Sequence, residues 1–246
     1  MENCLVTKLK AVVNNSDLMK IGELDISLPA GAFITIYKNW INSPITVSVK
    51  SGTATALDED DNSIPLPDTL QPSALNVRHR YDATTDCVLC ITKVYNFKIL
   101  DLPQAAYWDI DVEAFKYSPI TYFTQSNNPY VHGDIKYVYK QGNTQTNIGI
   151  GHPSESNYGN LYGDISVFGD CLSLTSLTVR YQSGITGTIE SMVHKYRENN
   201  RTTGSMTISV PTSGIITFNG AGITGNNKTL SWDATTITYD GTTITA

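Results

Sequence analysis

Two cysteines three positions apart, Cys87 and Cys90, are the residues of this sequence with the clearest chemical potential. Such a pair can bind a metal or cycle a disulfide, but a zinc site needs two further ligands and no second cysteine pair exists. The flanking Val88, Leu89 and Ile91 predict a strand, whereas a thioredoxin-type motif opens a helix. Positions i and i+3 of a strand point to opposite faces. We therefore interpret both cysteines as core residues without a metal or a disulfide.

A second candidate for chemistry is the segment Asp58-Glu59-Asp60-Asp61-Asn62. It places oxygen atoms at the first three ligand positions of a calcium-binding loop. Such a loop has glycine at its sixth position and glutamate at its twelfth, where this chain has Ser63 and Thr69. We therefore predict a solvated loop and no metal site. The whole stretch from Asp58 to Pro72 is expected to be one long exposed loop.

The histidines and the known catalytic motifs offer no further site. The four histidines share no metal-binding spacing, and they are His79, His132, His152 and His194. No nucleophile elbow, phosphate-binding loop or dinucleotide fingerprint is found. We therefore expect a protein that is not an enzyme and has no cofactor, while carboxylates that meet only in the fold are left open.

The composition of the 246-residue chain is typical of a β-rich globular protein. Charged residues make up only 16% of it, whereas Thr, Ser, Asn and Tyr are frequent. The net charge of −6 argues against a nucleic-acid partner. No apolar run is long enough to insert into a membrane, and residues 1–10 lack a secretory signal. We expect cytoplasmic synthesis, with virion association left open, and a cell-surface location if a signal segment was removed.

Residues 1–95 show the alternation of apolar and polar residues that is typical of strands. Leu24, Ile26 and Leu28 alternate with polar side chains, and turn signals such as Asn42-Ser43-Pro44 separate the runs. This region is predicted to form an antiparallel β-sandwich or a small barrel.

A repeated triplet, Gly-x-Ile or Trp-x-Ile, runs through the middle of the chain. Its copies begin at Trp108, Gly133, Gly163 and Gly187, which are 24 to 30 residues apart. A second pattern lies between the triplets, and its clearest copy is Leu174-x-x-Leu177-x-Val179. We interpret the Asp within three of the triplets as a polar turn residue that caps the following segment. These residues are Asp109, Asp134 and Asp164.

These patterns resemble the bacterial leucine-rich-repeat family over roughly residues 96–210. The stretch 174–189 is similar to L-x-x-L-x-L followed by I-x-G-x-I, and residues 160–165 are close to the ending N-L-x-G-x-I. The chain departs from the family in lacking a fixed strand-ending Asn and in the length of its 133–163 unit. The resemblance implies a short solenoid of about four units with a parallel sheet. In that sheet, residues 123, 148, 177 and 206 should form one inward row.

The last unit is predicted to contain a helix, because apolar residues recur at i, i+3, i+4 and i+7. They are Ile189, Met192, Val193 and Tyr196, and Asn199-Asn200 ends the helix. His194, beside this apolar stripe, is expected to be exposed.

Residues 211–246 contain two hairpin signals, Asn219-Gly220 and Asp240-Gly241, each between β-branched runs. A solenoid needs a cap over its last core layer. We therefore predict a β-hairpin cap in which Trp232 is the bulky plug. The resulting domains are a β-sandwich at 1–95, a leucine-rich-repeat solenoid at 96–210 and a β-meander cap at 211–246.

The resemblance also implies a binding surface on the parallel sheet. The predicted binding residues are Tyr122, Thr124, Thr178, Arg180 and Thr207. This surface is flat, polar and nearly uncharged, whereas glycan sites use aromatic platforms. Aromatic candidates for a glycan site are Tyr37, Trp40, Tyr107 and Trp108, for which the other interpretation is core packing. We hypothesise a recognition module that binds a protein or cell-surface partner, with a carbohydrate-binding protein as one alternative.

Another alternative is a structural or assembly component. The opening segment 4–15 resembles the starts of proteins from prophages and mobile elements of gut anaerobes. That resemblance implies a virion- or tail-associated protein whose N-terminal sandwich docks into a larger particle.

Overall fold

A computed structural model describes residues 22–101, 110–124, 130–151, 160–180, 184–211 and 216–246. It is mainly β, as the sequence predicted, and it divides into two compact units. The first unit holds the described residues up to 100 together with 110–119, and the second holds 101 and those from 120 onward. The three-part division predicted from the sequence stays a prediction. Several positions named above lie outside the described residues, namely the opening segment 4–15, Tyr107, Trp108, Asp109 and His152.

The first unit contains two four-stranded antiparallel sheets among its described residues. Their strands are β1 (Glu23–Leu28), β2 (Phe33–Tyr37), β3 (Ile45–Ser51), β4 (Ala54–Leu57), β5 (Ser63–Ile64), β6 (Asp68–Leu70), β7 (Arg78–Ala83) and β8 (Cys87–Thr92). The strand orders are β1-β8-β3-β6 and β2-β7-β4-β5. The short strand β9 (Ile99–Asp101) follows, and 3-10 helices span Lys38–Trp40, Val94–Asn96 and Val112–Phe115.

The pairing of these eight strands follows one rule. The first pairs with the eighth, the second with the seventh, the third with the sixth and the fourth with the fifth. A chain paired in this way is an antiparallel ribbon rolled into two sheets, which is the connectivity of a jelly roll. Leu24, Ile26 and Leu28 are buried at alternate positions of β1, as predicted. The alternation therefore identified the core face correctly.

The predicted long loop from Asp58 to Pro72 is wrong. It contains β5 and β6, and Leu70 on β6 is fully buried opposite Ile45 on β3. The exposed parts of this stretch are the short turn before β5, the link between β5 and β6 and the two residues after β6. The prediction failed because β6 has three residues, which is too short for an alternation to show between Pro67 and Pro72.

The second unit contains β10 (Tyr122–Thr124), β11 (His132–Asp134), β12 (Asn147–Ile150), β13 (Asn160–Asp164), β14 (Ser176–Val179), β15 (Gly184–Thr188), β16 (Gly204–Val210), β17 (Ile216–Phe218), β18 (Ala221–Gly222), β19 (Gly225–Trp232), β20 (Thr236–Tyr239) and β21 (Thr242–Thr245). Its helix α1 spans Ile189–Glu198, and 3-10 helices span Ile135–Tyr137 and Ile165–Asp170. The chain alternates between two sheets. The five-stranded sheet has the order β11-β13-β15-β17-β18 and the six-stranded sheet β12-β14-β16-β19-β20-β21.

Within both sheets, strands from successive passes of the chain pair in parallel. The predicted inward row is confirmed for Ile148 and Leu177, which are buried partners. The third member is Ile208 rather than Met206, because Leu177 pairs with Ile208. Phe123 is buried, but it lies on β10 outside this sheet. The predicted register of β16 against β14 was wrong because α1 has ten residues, more than the 3-10 helices at the same place in the two earlier passes.

Helix α1 and the hairpins are confirmed. The four residues of the predicted apolar stripe are fully buried, His194 is exposed, and Asn199 caps the helix end. Asn219-Gly220 and Asp240-Gly241 have positive φ and join β17 to β18 and β20 to β21. Among the described residues, no helix has the length and apolar character needed to cross a membrane.

In the three triplets that lie within the described residues, the middle residue caps the helical segment that follows. Asp134 accepts a hydrogen bond from the main-chain N–H of Lys136, and Asp164 from that of Ser166. Thr188 caps α1 in the same way through Ser191. The capping role predicted for Asp134 and Asp164 is therefore confirmed.

Two of the triplet glycines, Gly163 and Gly187, fit against the capping residue of the preceding triplet. A Cβ at Gly163 would lie 2.8 Å from Asp134 Oδ1, and one at Gly187 would lie 2.7 Å from Asp164 Oδ2. Both glycines also have a positive φ, +138° and +104° respectively. The repeat thus needs glycine for two reasons, a backbone conformation and a close approach.

Gly187→Ala is expected to lower the free energy of unfolding by about 2–3 kcal/mol, because it adds a positive-φ penalty to a clash with a capping carboxylate. Gly142→Ala is the matched control, since Gly142 has a φ of +95° and nothing lies within 4 Å of its added Cβ. It should cost about 1 kcal/mol. Urea denaturation of both variants measures the difference, and equal losses would contradict the proposed close fit.

Candidate binding surface

The outward face of the six-stranded sheet is lined by hydroxyl groups. Strand alternation buries Leu177, Ile208 and Leu230, so their neighbours face away from the core. We call this surface the hydroxyl face and define it by Ser176, Thr178, Ser205, Thr207, Thr229, Ser231, Thr238 and Thr243. All eight are half-buried or exposed, and none carries a charge.

Cross-strand pairing arranges these hydroxyls in rows. One row runs Ser205, Ser231, Thr238 and Thr243, and a second runs Ser176, Thr207 and Thr229. The two hydroxyls of Thr238 and Thr243 are 2.8 Å apart and hydrogen-bonded. Neighbouring strands of a sheet lie about 4.8 Å apart, so each row is a regular line of donors and acceptors.

Three of the predicted binding residues come together on or beside this face. Thr178 on β14 pairs with Gly149 on β12. Thr207 lies in the second row of hydroxyls, next to Ser176. The main-chain N–H of Arg180 donates to the carbonyl of Ile150 at 2.8 Å. Arg180 Nη1 lies 3.8 Å from the position of a Cβ on Gly149. Gly149 therefore leaves room for a guanidinium group over the sheet.

The other two predicted residues, Tyr122 and Thr124, lie on β10, which is not a strand of the six-stranded sheet. The Thr121 carbonyl accepts a 2.9 Å hydrogen bond from the N–H of Thr144, shortly before β12 begins. Tyr122 is exposed. This hydrogen bond places the start of β10 beside the residues that lead into β12. A binding role for all five predicted residues stays a prediction.

Of the four aromatic candidates for a glycan site, Tyr37 and Trp40 lie within the described residues. Trp40 is buried with its ring centroid 5.2 Å from that of Tyr37, which confirms the packing interpretation for this pair. Tyr162 on β13 has 53% of its surface exposed and was not singled out from the sequence. The sequence could have indicated this exposure. Tyr162 occupies the variable position x of the ending N-L-x-G-x-I, where the side chain faces away from the core.

A buried polar cluster in the first unit was also missed. Asp68 Oδ2 accepts a hydrogen bond from the Tyr81 hydroxyl at 2.6 Å and lies 2.7 Å from His79 Nδ1. Burial and the Asp68 hydrogen bond raise the pKa of Tyr81 far above its usual value. A carboxylate that orients an imidazole is one part of a general-base site, which also needs a group whose proton the imidazole removes. Here the carboxylate is shared with Tyr81, and the cluster links β6 of one sheet to β7 of the other.

Cys87 and Cys90 are buried on β8, which confirms them as core residues, and Cys171 is a third buried free thiol among the described residues. Burial raises the pKa of Cys90 to about 11 and that of Cys171 to about 12. Both thiols are therefore protonated near neutral pH and are poor nucleophiles.

The acidic turn before β5 is organised by its own carboxylate. Asp58 Oδ1 accepts hydrogen bonds from the main-chain N–H groups of Asp60 at 3.0 Å and Asn62 at 2.8 Å. These bonds, that from Asn62 foremost, lower the pKa of Asp58. The carboxylate thus stabilises an exposed turn, in agreement with the predicted solvated loop.

No protein-family model matches this sequence, and no curated protein matches it. The resemblance to leucine-rich repeats therefore stays a prediction. Function must be argued from the surfaces themselves.

Proposed function

We propose that this protein is a non-enzymatic recognition module that binds a protein partner through the hydroxyl face. The observation that carries the proposal is the continuity of that face, which extends from β14 to β21 with no charged residue among the eight that define it. Uncharged hydroxyls can donate and accept hydrogen bonds without the large desolvation cost of a buried charge.

The scaffold for this face is proposed to be a short leucine-rich-repeat-like solenoid. Its support is the alternation of the chain between two sheets, with each pass adding one parallel strand to each. The fit of Gly163 against Asp134, repeated by Gly187 against Asp164, gives successive passes an equivalent contact. Solenoids commonly present extended binding surfaces of this kind.

A protein partner suits this face better than a glycan does. Glycan sites use aromatic side chains as platforms, and the residues that define the hydroxyl face contain none. Arg180 adds a guanidinium group next to Gly149, and arginine is enriched at protein interfaces. A glycan would instead be favoured by Tyr162, the exposed aromatic residue of the five-stranded sheet.

Site-specific photocrosslinking tests the proposal. The photoreactive residue p-benzoylphenylalanine is placed at position 178 of the hydroxyl face, or at position 55 as the control. Thr178 and Thr55 are both half-buried strand residues, but Thr55 lies on β4 of the first unit. In extracts of the organism that encodes the chain, position 178 should give a discrete crosslinked protein that position 55 does not give.

The crosslinked protein is then identified and purified for a binding titration. Arg180→Glu should weaken its binding roughly tenfold or more, because the change reverses a charge beside the face. Equal crosslinking from both positions, or no product from position 178, contradicts the proposal. Glycan-array binding that Tyr162→Ala abolishes would support the carbohydrate-binding alternative instead.

A further inference from the structure

The outer edge of β21 lacks the features that normally protect an exposed strand. Within the part of the chain that the structure describes, β21 is the last strand of the six-stranded sheet, and its partner there is β20. Its residues, Thr242-Thr243-Ile244-Thr245, include no charge and no proline, and its register with β20 has no bulge. Natural edge strands are usually blunted by such features. This edge is therefore suited to pairing with another strand.

The turn before β21 determines which main-chain groups reach that edge. Asp240 and Gly241 both have positive φ, as in the type I′ turn of a two-residue hairpin. In such a hairpin the flanking residues, here Tyr239 and Thr242, exchange hydrogen bonds with each other. Even-numbered residues of β21 therefore bond toward β20.

It follows that the N–H and C=O groups of Thr243 and Thr245 point to the open edge. Ala246 continues the alternation, because its N–H donates to the Thr235 carbonyl at 2.9 Å on the β20 side. An added antiparallel strand requires two residues whose main-chain groups point to the open edge, separated by one residue whose groups point to β20. Thr243 and Thr245, separated by Ile244, meet this requirement.

We propose that β21 pairs with β21 of a second copy of this chain, antiparallel and centred on Ile244. In this register Thr243 of each copy faces Thr245 of the other, and the outward groups form about four main-chain hydrogen bonds. The two Ile244 side chains meet on the inward face. Ile244 is only half-buried in one chain, although its partner Ile237 is fully buried, so the second copy completes its burial.

A second copy is favoured because the edge is complementary to itself. In this register the main-chain N–H and C=O groups on the open edge of one β21 lie opposite the C=O and N–H groups of the other. The side chains of the two strands bring no like charges together. Asp240, in the turn that leads into β21, is already paired with Lys228 at 2.7 Å. The pairing joins two hydroxyl faces through their Thr243 rows, but it does not depend on the function proposed above.

Sedimentation analysis of the full chain over a wide concentration range tests this proposal. The wild-type protein should reach twice the 26.9 kDa mass of one chain. The double variant Thr243→Lys with Thr245→Lys should raise the dissociation constant roughly tenfold or more, since lysines then face lysines. Both threonines are exposed, so the fold should be unchanged by circular dichroism.

The matched control is Thr243→Lys with Thr245→Glu. In the proposed register each lysine faces a glutamate of the other copy, so this variant should dimerise as well as the wild type. A wild-type protein that stays monomeric at every concentration would overturn the proposal. Equal dimerisation of the double-lysine variant and the wild type would overturn it too, because the interface would then lie elsewhere.

Discussion

Deletion of residues 212–246 is expected to make the remaining chain aggregate or unfold. The deleted segment contains β19, which pairs along most of β16. Its removal would expose a long strand edge together with the apolar residues beneath it. The measurements are size-exclusion chromatography and the thermal unfolding midpoint of the truncated protein.

Aromatic stacking and an arginine explain why the expected effect is large. The rings of Tyr196 on α1 and Trp232 on β19 stack with centroids 5.0 Å apart, and Trp232 Nε1 donates to the Arg201 carbonyl. Arg197 donates hydrogen bonds to three main-chain carbonyls of the deleted segment. These belong to Asp233, Thr236 and Ala246. The segment is thus held to the rest of the unit by the Trp232 side chain and by three of its main-chain carbonyls.

Trp232→Ala is the point variant that tests the same contact without removing strands. It should lower the free energy of unfolding by about 3–5 kcal/mol, because a buried aromatic side chain leaves a cavity. A truncated protein that remains soluble and monomeric with an unchanged midpoint would show that 212–246 is an independent module.

Leu177→Ala is expected to lower the free energy of unfolding by about 2–5 kcal/mol. Leu177 is fully buried between its partners Ile148 and Ile208, so its truncation empties the middle of an apolar row. Denaturant titration of the purified variant measures the loss.

The neighbouring residue provides the control. Thr178→Ala removes a half-buried side chain from the opposite face, and it should change the stability by less than about 0.5 kcal/mol. Similar losses from the two variants would mean that the inward and outward faces have been exchanged.

The sequence predicted the elements whose residue patterns are long. The four apolar residues of α1 recur over two turns, and Leu174-x-x-Leu177-x-Val179 carries both an alternation and a repeat. The two Asn/Asp-Gly pairs were equally informative, because type I′ turns require positive φ at both positions. In each case a local physical requirement limits which residues can occur.

The features that the sequence did not predict depend on contacts between distant segments. Asp68 reads as part of an acidic loop until β6 is placed against β3, and only then do His79 and Tyr81 reach its carboxylate. The register of Ile208 depends on how much chain α1 consumes. The hydroxyl face was recognised in part, since Thr178 and Thr207 were named, but its extension to Thr243 requires the pairing of β16 with β19.

The capping residue of the last triplet differs from those of the two triplets before it. Asp134 pairs with Tyr162 and Asp164 with Thr186, and in each case the next residue along is the glycine that fits the carboxylate. The last triplet carries Thr188 instead.

Thr188 pairs with Thr217, and the next residue is Phe218, a buried aromatic residue at the place of a glycine. An additional pass would repeat this contact only if it supplied both a glycine in its strand and an aspartate before its helical segment. The change from Asp to Thr acts as a terminator, because it removes the carboxylate that would otherwise demand a glycine in the following strand.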